Sequence, residues 1–153
     1  MEKLTRRQFL GTAALGAGSL FIWGCGGKSA GVQPQDGSYV IAETTFGKVR
    51  GLRERGVNCF KGIPYAGSVS GKQRFGRPAP LTPWAEVRDA LRLGTPAMQS
   101  ASTVYGKDEP APGEDCLVLN VWTPANDNGK RPVVFYNHGG GYATGSGGAV
   151  GQD

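Results

Sequence analysis

From Ser38 onward, apolar and polar positions fall into short runs. Tyr39–Thr44, Lys48–Leu52 and Val57–Ile63 are brief, rich in β-branched or aromatic residues, and separated by Phe46-Gly47 and Arg55-Gly56. Runs of that length with glycine between them predict a small antiparallel meander. Residues 64 to 113 are then dominated by Pro, Gly, Ser and Thr, with room for one helical turn. An irregular passage that long implies functional loops wrapped on a larger scaffold. Two stronger strands are predicted after it. Leu117–Trp122 alternates within an apolar run, and Val133–Tyr136 is continuously apolar behind Pro132, the pattern of a buried strand. The chain then opens into a glycine-rich stretch, Gly139 to Gly148, and no internal repeat is present.

The first thirty residues follow a different rule. Met1–Arg7 is short and basic, and Phe9–Trp23 is apolar and free of charge. The apolar run falls short of the about 20 residues a membrane span needs, and a basic start before a short apolar stretch builds an export signal. Thr5-Arg6-Arg7-Gln8-Phe9-Leu10 resembles the twin-arginine export motif. Residues 1–30 are therefore expected to engage the twin-arginine machinery and to direct a bacterial protein to the periplasm or beyond. Ile22-Trp23-Gly24-Cys25 resembles a lipoprotein cleavage box, although Trp23 stands where that pattern wants a small residue. Two outcomes stay open at Cys25: lipid attachment, which would be the protein's one link to a membrane, or ordinary cleavage nearby.

Residues 31–37 form a linker before a body spanning 38–153. Gly27-Lys28-Ser29-Ala30-Gly31 has the letters of a nucleophile elbow, G-x-S-x-G. That chemistry needs a strand before the serine and a helix after it, and a Gly/Ser/Pro/Gln-rich setting supplies neither. The same stretch lacks the upstream glycine of a phosphate-binding loop, since Ile22 occupies that place.

Composition and charge narrow the function classes. The chain has 153 residues, 39% hydrophobic and 19% charged, the profile of a globular, loop-rich protein. Its formal net charge is +5, but Lys3, Arg6, Arg7 and Lys28 place most of that in the leader. The remaining basic residues are interleaved with acids and make no phosphate-tracking stripe, so no nucleic-acid partner is expected. Three cysteines, Cys25, Cys59 and Cys116, are too few and too widely spaced for a disulfide framework or a zinc site. No metal or cofactor is expected, and Cys59 reads as a core residue.

A predicted buried strand running into His138-Gly139-Gly140-Gly141 has a specific physical use. When a nucleophile attacks an ester carbonyl, negative charge grows on its oxygen, and backbone N–H groups already aimed there stabilise it without reorganising. Glycines let the backbone come close and adopt φ values that other residues avoid. The HGGG loop of lipases and esterases serves this purpose. Taken alone, three glycines after a strand are equally compatible with a plain turn.

The surrounding motifs decide between the two. Phe60-Lys61-Gly62-Ile63-Pro64-Tyr65-Ala66, Arg74-Phe75, Pro78–Pro83 and Pro83–Ala90 resemble, in order, the early part of the type B carboxylesterase family, which includes the cholinesterases. Glu114-Asp115-Cys116-Leu117-Val118-Leu119-Asn120-Val121-Trp122-Thr123-Pro124 is similar to the second signature of that family, and Pro132–Tyr142 to its strand and oxyanion loop. The resemblance implies an α/β-hydrolase fold acting on small carboxylic esters, with Gly140 and Gly141 as oxyanion-hole donors. It implies a structural salt bridge between Arg74 and Glu114. It also implies a cysteine partner upstream of Cys116, but Ala97 stands there, so Cys116 is expected to be a free buried thiol. Ser68-Val69 replaces a Pro-Pro pair of the family.

The mechanism also needs a serine, a histidine and a carboxylate, and in α/β-hydrolases these follow the oxyanion loop. The triad is therefore expected beyond Asp153, with residues 38–153 forming the N-terminal part of a longer domain. His138, the one histidine, lies at the strand end beside the hole and is read as structural. A chain without its triad is expected to lack activity by itself. Two further readings stay open: a non-catalytic remnant, and a cholinesterase-like interaction protein.

Overall fold

The computed structural model describes residues 35–100 and 111–149. Every described residue belongs to one compact unit within 32–153. The twin-arginine motif, Cys25, the Ser29 stretch and most of the linker lie outside the described residues.

Three strands form the predicted meander: β1 (Tyr39–Thr44), β2 (Gly47–Glu54) and β3 (Val57–Pro64). The β1–β2 register runs from Tyr39 opposite Leu52 to Thr44 opposite Gly47, and β2 meets β3 from Leu52–Cys59 to Glu54–Val57. The β2–β3 connection is the two residues Arg55 and Gly56, with φ of 49° and 79°. Positive φ at both central residues is the hairpin turn whose twist matches the flanking strands, which explains the glycine there. Thr44 closes the other turn, donating from Oγ1 to the Gly47 carbonyl (2.7 Å) and accepting the Phe46 N–H (3.2 Å).

The meander does not continue as a plain ladder. Beyond Leu52, β2 and β3 diverge, and a two-residue strand, β4 (Arg88–Asp89), enters the gap parallel to β2, opposite Val49 and Arg50. Ala90 completes the wedge: its N–H donates to the Arg50 carbonyl and its carbonyl accepts the Lys61 N–H, both at 2.8 Å. Arg50 grips Asp89 with Nε and Nη2 at 2.6 and 2.9 Å, and that charged pair holds the Asp89 carboxyl below the usual carboxylate range. A fifth strand, β5 (Val118–Thr123), pairs antiparallel with β3, giving the order β1-β2-β3-β5. The register shifts between Phe60 and Ile63, where Gly62 has φ +73° and gives its N–H to Asn120 Oδ1 (2.9 Å). That is the unpaired residue of a bulge, satisfied by a side chain.

Val40, Val49, Phe60 and Ala90 form the buried core, with Ala42, Ile63 and Trp84 packed against it. Cys59 is buried, as its sequence context implies. Asn58, also buried, has both ends of its amide engaged: Oδ1 accepts from Arg53 Nη1 (2.7 Å) and Nδ2 donates to Asn126 Oδ1 (3.1 Å). A buried amide so matched avoids the cost of desolvation without a partner.

Among the described residues, the long passage after β3 contains one 3-10 turn, Gly71–Gln73, and no α-helix is present. Val133–Tyr136 corrects the strand expectation. The segment pairs with none of β1–β5, and Val133, Val134 and Phe135 are 87, 91 and 80% exposed. A continuously apolar strand is ordered by neighbours on both edges and cover on both faces, and none of the described strands takes those places.

Candidate active site

The residues after Val133–Tyr136 turn sharply. Gly140, Gly141 and Tyr142 have φ of 132°, 62° and 62° in succession. Left-handed backbone costs a residue with a β-carbon roughly 1–2 kcal/mol, so two of the three places fall to glycine. The turn closes when the Gly140 carbonyl accepts the N–H groups of Ala143 and Thr144, both at 3.1 Å. Gly140 is required for a second reason, because a β-carbon there would collide with the Thr144 carbonyl. Gly141 faces open space, so its requirement is conformational alone.

This closure decides where the amides point. In a trans peptide, the carbonyl of one residue and the N–H of the next face opposite ways. With the Gly140 carbonyl turned inward, the Gly141 N–H is directed out of the turn. Neither Gly140 nor Gly141 donates its N–H to any acceptor among the described residues. Both are exposed, at the edge of a concavity of about 690 Å³ lined by residues 97–99 and 137–145. Exposed donors held on a left-handed turn are ready-made for an oxyanion.

His138 sits at the root of the turn with Nδ1 2.8 Å from the Gly139 carbonyl, and its ring lies against the backbone of Gly145. Gly145 has φ +109°, and a β-carbon there would run into the Gly139 carbonyl and His138 Nδ1. Gly145 is buried, as are Ser146 and Ala149, so the exposed turn springs from a fixed base.

Arg74 and Glu114 are brought together, Nη1 to Oε1 at 2.8 Å, with the Arg74 guanidinium also 5.6 Å from the centre of the Phe75 ring. They line a small hollow of about 190 Å³ with Val69, Met98 and Cys116, and Met98 also lines the concavity at the glycine turn. Cys116 is a free thiol but half-buried, not buried as expected. In place of a disulfide, Ala97 and Gly113 form a parallel backbone bridge, and the Gly113 N–H donates to the Pro96 carbonyl at 2.9 Å.

Two residues near the turn were not singled out by sequence reasoning. Gln99 and Asn120 both hydrogen-bond the chain just after it. Asn120 lies inside the second signature motif, and Gln99 two residues after the unmatched cysteine position, which is the signal that would have found them.

Residues 38–153 match the family described as the carboxylesterase family. The phenmedipham hydrolase of Pseudarthrobacter oxydans is 44% identical over 112 residues, covering 70% of this chain and 23% of that protein. The para-nitrobenzyl esterase of Bacillus subtilis is 37% identical over 112 residues, covering 72% and 23%. Among solved structures, a carboxylesterase of Geobacillus stearothermophilus superposes with a TM-score of 0.62 at 43% identity, over 70% of this chain and 21% of that one. The chain thus spans about a quarter of the length of the curated relatives it matches. On its motifs, its left-handed glycine turn and these matches, the chain belongs to the carboxylesterase family.

Proposed function

We propose that this chain supplies the oxyanion loop and the surrounding N-terminal part of a serine α/β-hydrolase that cleaves small carboxylic esters. The observation that carries the reading is the turn at Gly140–Tyr142, where Gly140 and Gly141 are exposed and neither donates its N–H to an acceptor among the described residues. In ester hydrolysis a serine alkoxide adds to the carbonyl carbon, the π electrons move onto the oxygen, and that oxygen carries a full charge in the tetrahedral intermediate. Two N–H donors already in place lower the barrier because they need not reorient. In this reading the serine, its base and the orienting carboxylate follow the oxyanion loop, the order of α/β-hydrolases. A bacterial exported protein is the setting proposed for it, entered through the twin-arginine machinery by residues 1–30, with two outcomes open at Cys25: lipid attachment as the point of membrane contact, or ordinary cleavage nearby.

The test is a chimera in which residues 38–153 replace the matching part of the Bacillus subtilis para-nitrobenzyl esterase. It should hydrolyse a short-chain p-nitrophenyl ester, sensitively to a serine-directed inhibitor, while the 153-residue chain alone should not exceed a matched blank. A folded, monomeric chimera with no turnover would overturn the proposal.

A further inference from the structure

Two side-chain amides hold the base from which the glycine turn springs. Gln99 Oε1 accepts the Gly145 N–H at 2.6 Å, and Gln99 Nε2 donates to the Gly145 carbonyl at 2.9 Å and to the Ala97 carbonyl at 3.0 Å. One side-chain amide thereby takes both polar atoms of one residue, as a neighbouring strand would. On the other side of the base, Asn120 Nδ2 donates to the Gly147 carbonyl at 3.3 Å, while its Oδ1 accepts the N–H of Gly62 in the β3 bulge. Gln99 therefore ties the base to the junction at Ala97, and Asn120 ties it to the sheet.

The base cannot move without moving the turn. Gly145 packs so tightly on the Gly139 carbonyl and the His138 ring that a β-carbon has no room between them. Any displacement of Gly145 is passed to residues 138 and 139, hence to the Gly139–Gly140 peptide that aims the Gly140 N–H, and along the turn to the next peptide, which aims the Gly141 N–H. A shift of about 1 Å in a catalytic group can cost on the order of a hundredfold in rate.

We propose that Gln99 is a positioning residue for ester hydrolysis, its amide fixing Gly145 and through it the direction of the Gly140 and Gly141 N–H groups, with Asn120 anchoring the far end. The proposal rests on the oxyanion role assigned above. Replacing Gln99 by Glu separates its two functions. A carboxylate still accepts the Gly145 N–H but turns a second acceptor toward the carbonyls of Gly145 and Ala97. Its protonated form restores a donor.

Two measurements test it. In the 153-residue chain, amide exchange followed by NMR should show Gly145 exchanging roughly three- to tenfold faster in Gln99→Met, the size of effect a single hydrogen bond carries, and within about threefold of the parent in Gln99→Glu. Unchanged Gly145 exchange in Gln99→Met, or loss of protection in both variants alike, would overturn the clamp. In the chimera, Gln99→Met should lower kcat by roughly ten- to a hundredfold with little change in KM. The ratio of Gln99→Glu to parent kcat should rise about tenfold as pH falls from 8 to 5, because protonation returns the donor. A flat ratio, or a loss confined to KM, would overturn the positioning role. An inert parent chimera would count against the ester-hydrolysis reading, and the exchange measurement would still decide the clamp.

Discussion

Trp84 occupies the space that a side chain at Gly47 would need. A β-carbon on Gly47 would come within 2.6 Å of both Cδ1 and Nε1 of the indole and 2.5 Å of the Trp84 carbonyl oxygen. The Trp84 backbone N–H bonds the Phe46 carbonyl and the indole N–H the Lys48 carbonyl, each at 2.8 Å, so the ring is pinned on both sides of the glycine. With φ +142° at position 47 as well, Gly47→Ala meets both a steric and a conformational obstacle. It should destabilise the body by about 1–3 kcal/mol, the range for overpacking. Thermal unfolding should show a lower midpoint, and an unchanged one would mean that the indole moves aside freely.

The two turn glycines should fail for different reasons. Gly140→Ala drives a β-carbon into the Thr144 carbonyl and breaks the turn, so kcat of the active chimera should fall about 10²–10³-fold, as for loss of an oxyanion-hole donor. Gly141→Ala has open space and faces only its left-handed φ, a strain of roughly 1–2 kcal/mol, so its loss should be near tenfold. Equal losses would contradict this division.

The Arg74–Glu114 pair is well formed but wet, its side chains 56 and 34% exposed. Exposed pairs contribute about 0–1 kcal/mol, so Glu114→Gln should change stability by no more than that, and by less still in high salt. A loss above about 2 kcal/mol in denaturant unfolding would assign the pair a larger role than solvent exposure permits.

Acid should act on the 127–131 turn only at very low pH. Arg131 binds Asp127 through Nη1 and Nη2 at 2.5 and 2.8 Å, and the Gly129 N–H adds a third bond, which together hold the carboxyl at about 2. Because the folded value is depressed, the stabilisation is fully present above the unfolded value near 4 and is lost as pH falls through about 2. A carbon-13 titration of Asp127 should give that low midpoint, and Arg131→Met should move it up toward the unfolded value. A midpoint near 4 in the parent chain would show that the turn is open in solution.

Export should depend on the arginine pair if residues 1–30 work as proposed. Arg6→Lys with Arg7→Lys keeps the charge and removes the planar guanidinium groups, which lysine does not imitate. A reporter fused behind residue 31 should then stay in the cytoplasm on cell fractionation. Normal periplasmic delivery of the double variant would sink the assignment, and a membrane-bound reporter released by Cys25→Ala would identify the lipid anchor.

How much of this was legible in the sequence depends on how local each feature is. The three meander strands were readable within two residues at each boundary, because Arg55-Gly56 and Phe46-Gly47 punctuate them and β2 pairs with the strands just before and just after it. The β4 wedge was not, since Arg88 and Asp89 form a strand only by entering a gap that β2 and β3 leave open. Val133–Tyr136 has strand composition but lacks neighbours among the described strands, and composition alone does not order a strand. At the site, the glycines announced a turn because their backbone angles are rarely open to other residues. Gln99 and Asn120 gave no such signal, because a side-chain amide looks the same in sequence whether it clamps a loop or faces water.

The joint between Pro96–Ala97 and Gly113 is made of peptide groups, while the nearby Cys116 thiol stays reduced. A seam of that kind needs no oxidant to close and no isomerase to correct it. It forms as readily under reducing as under oxidising conditions. Dithiothreitol should leave the joint beside the glycine turn untouched.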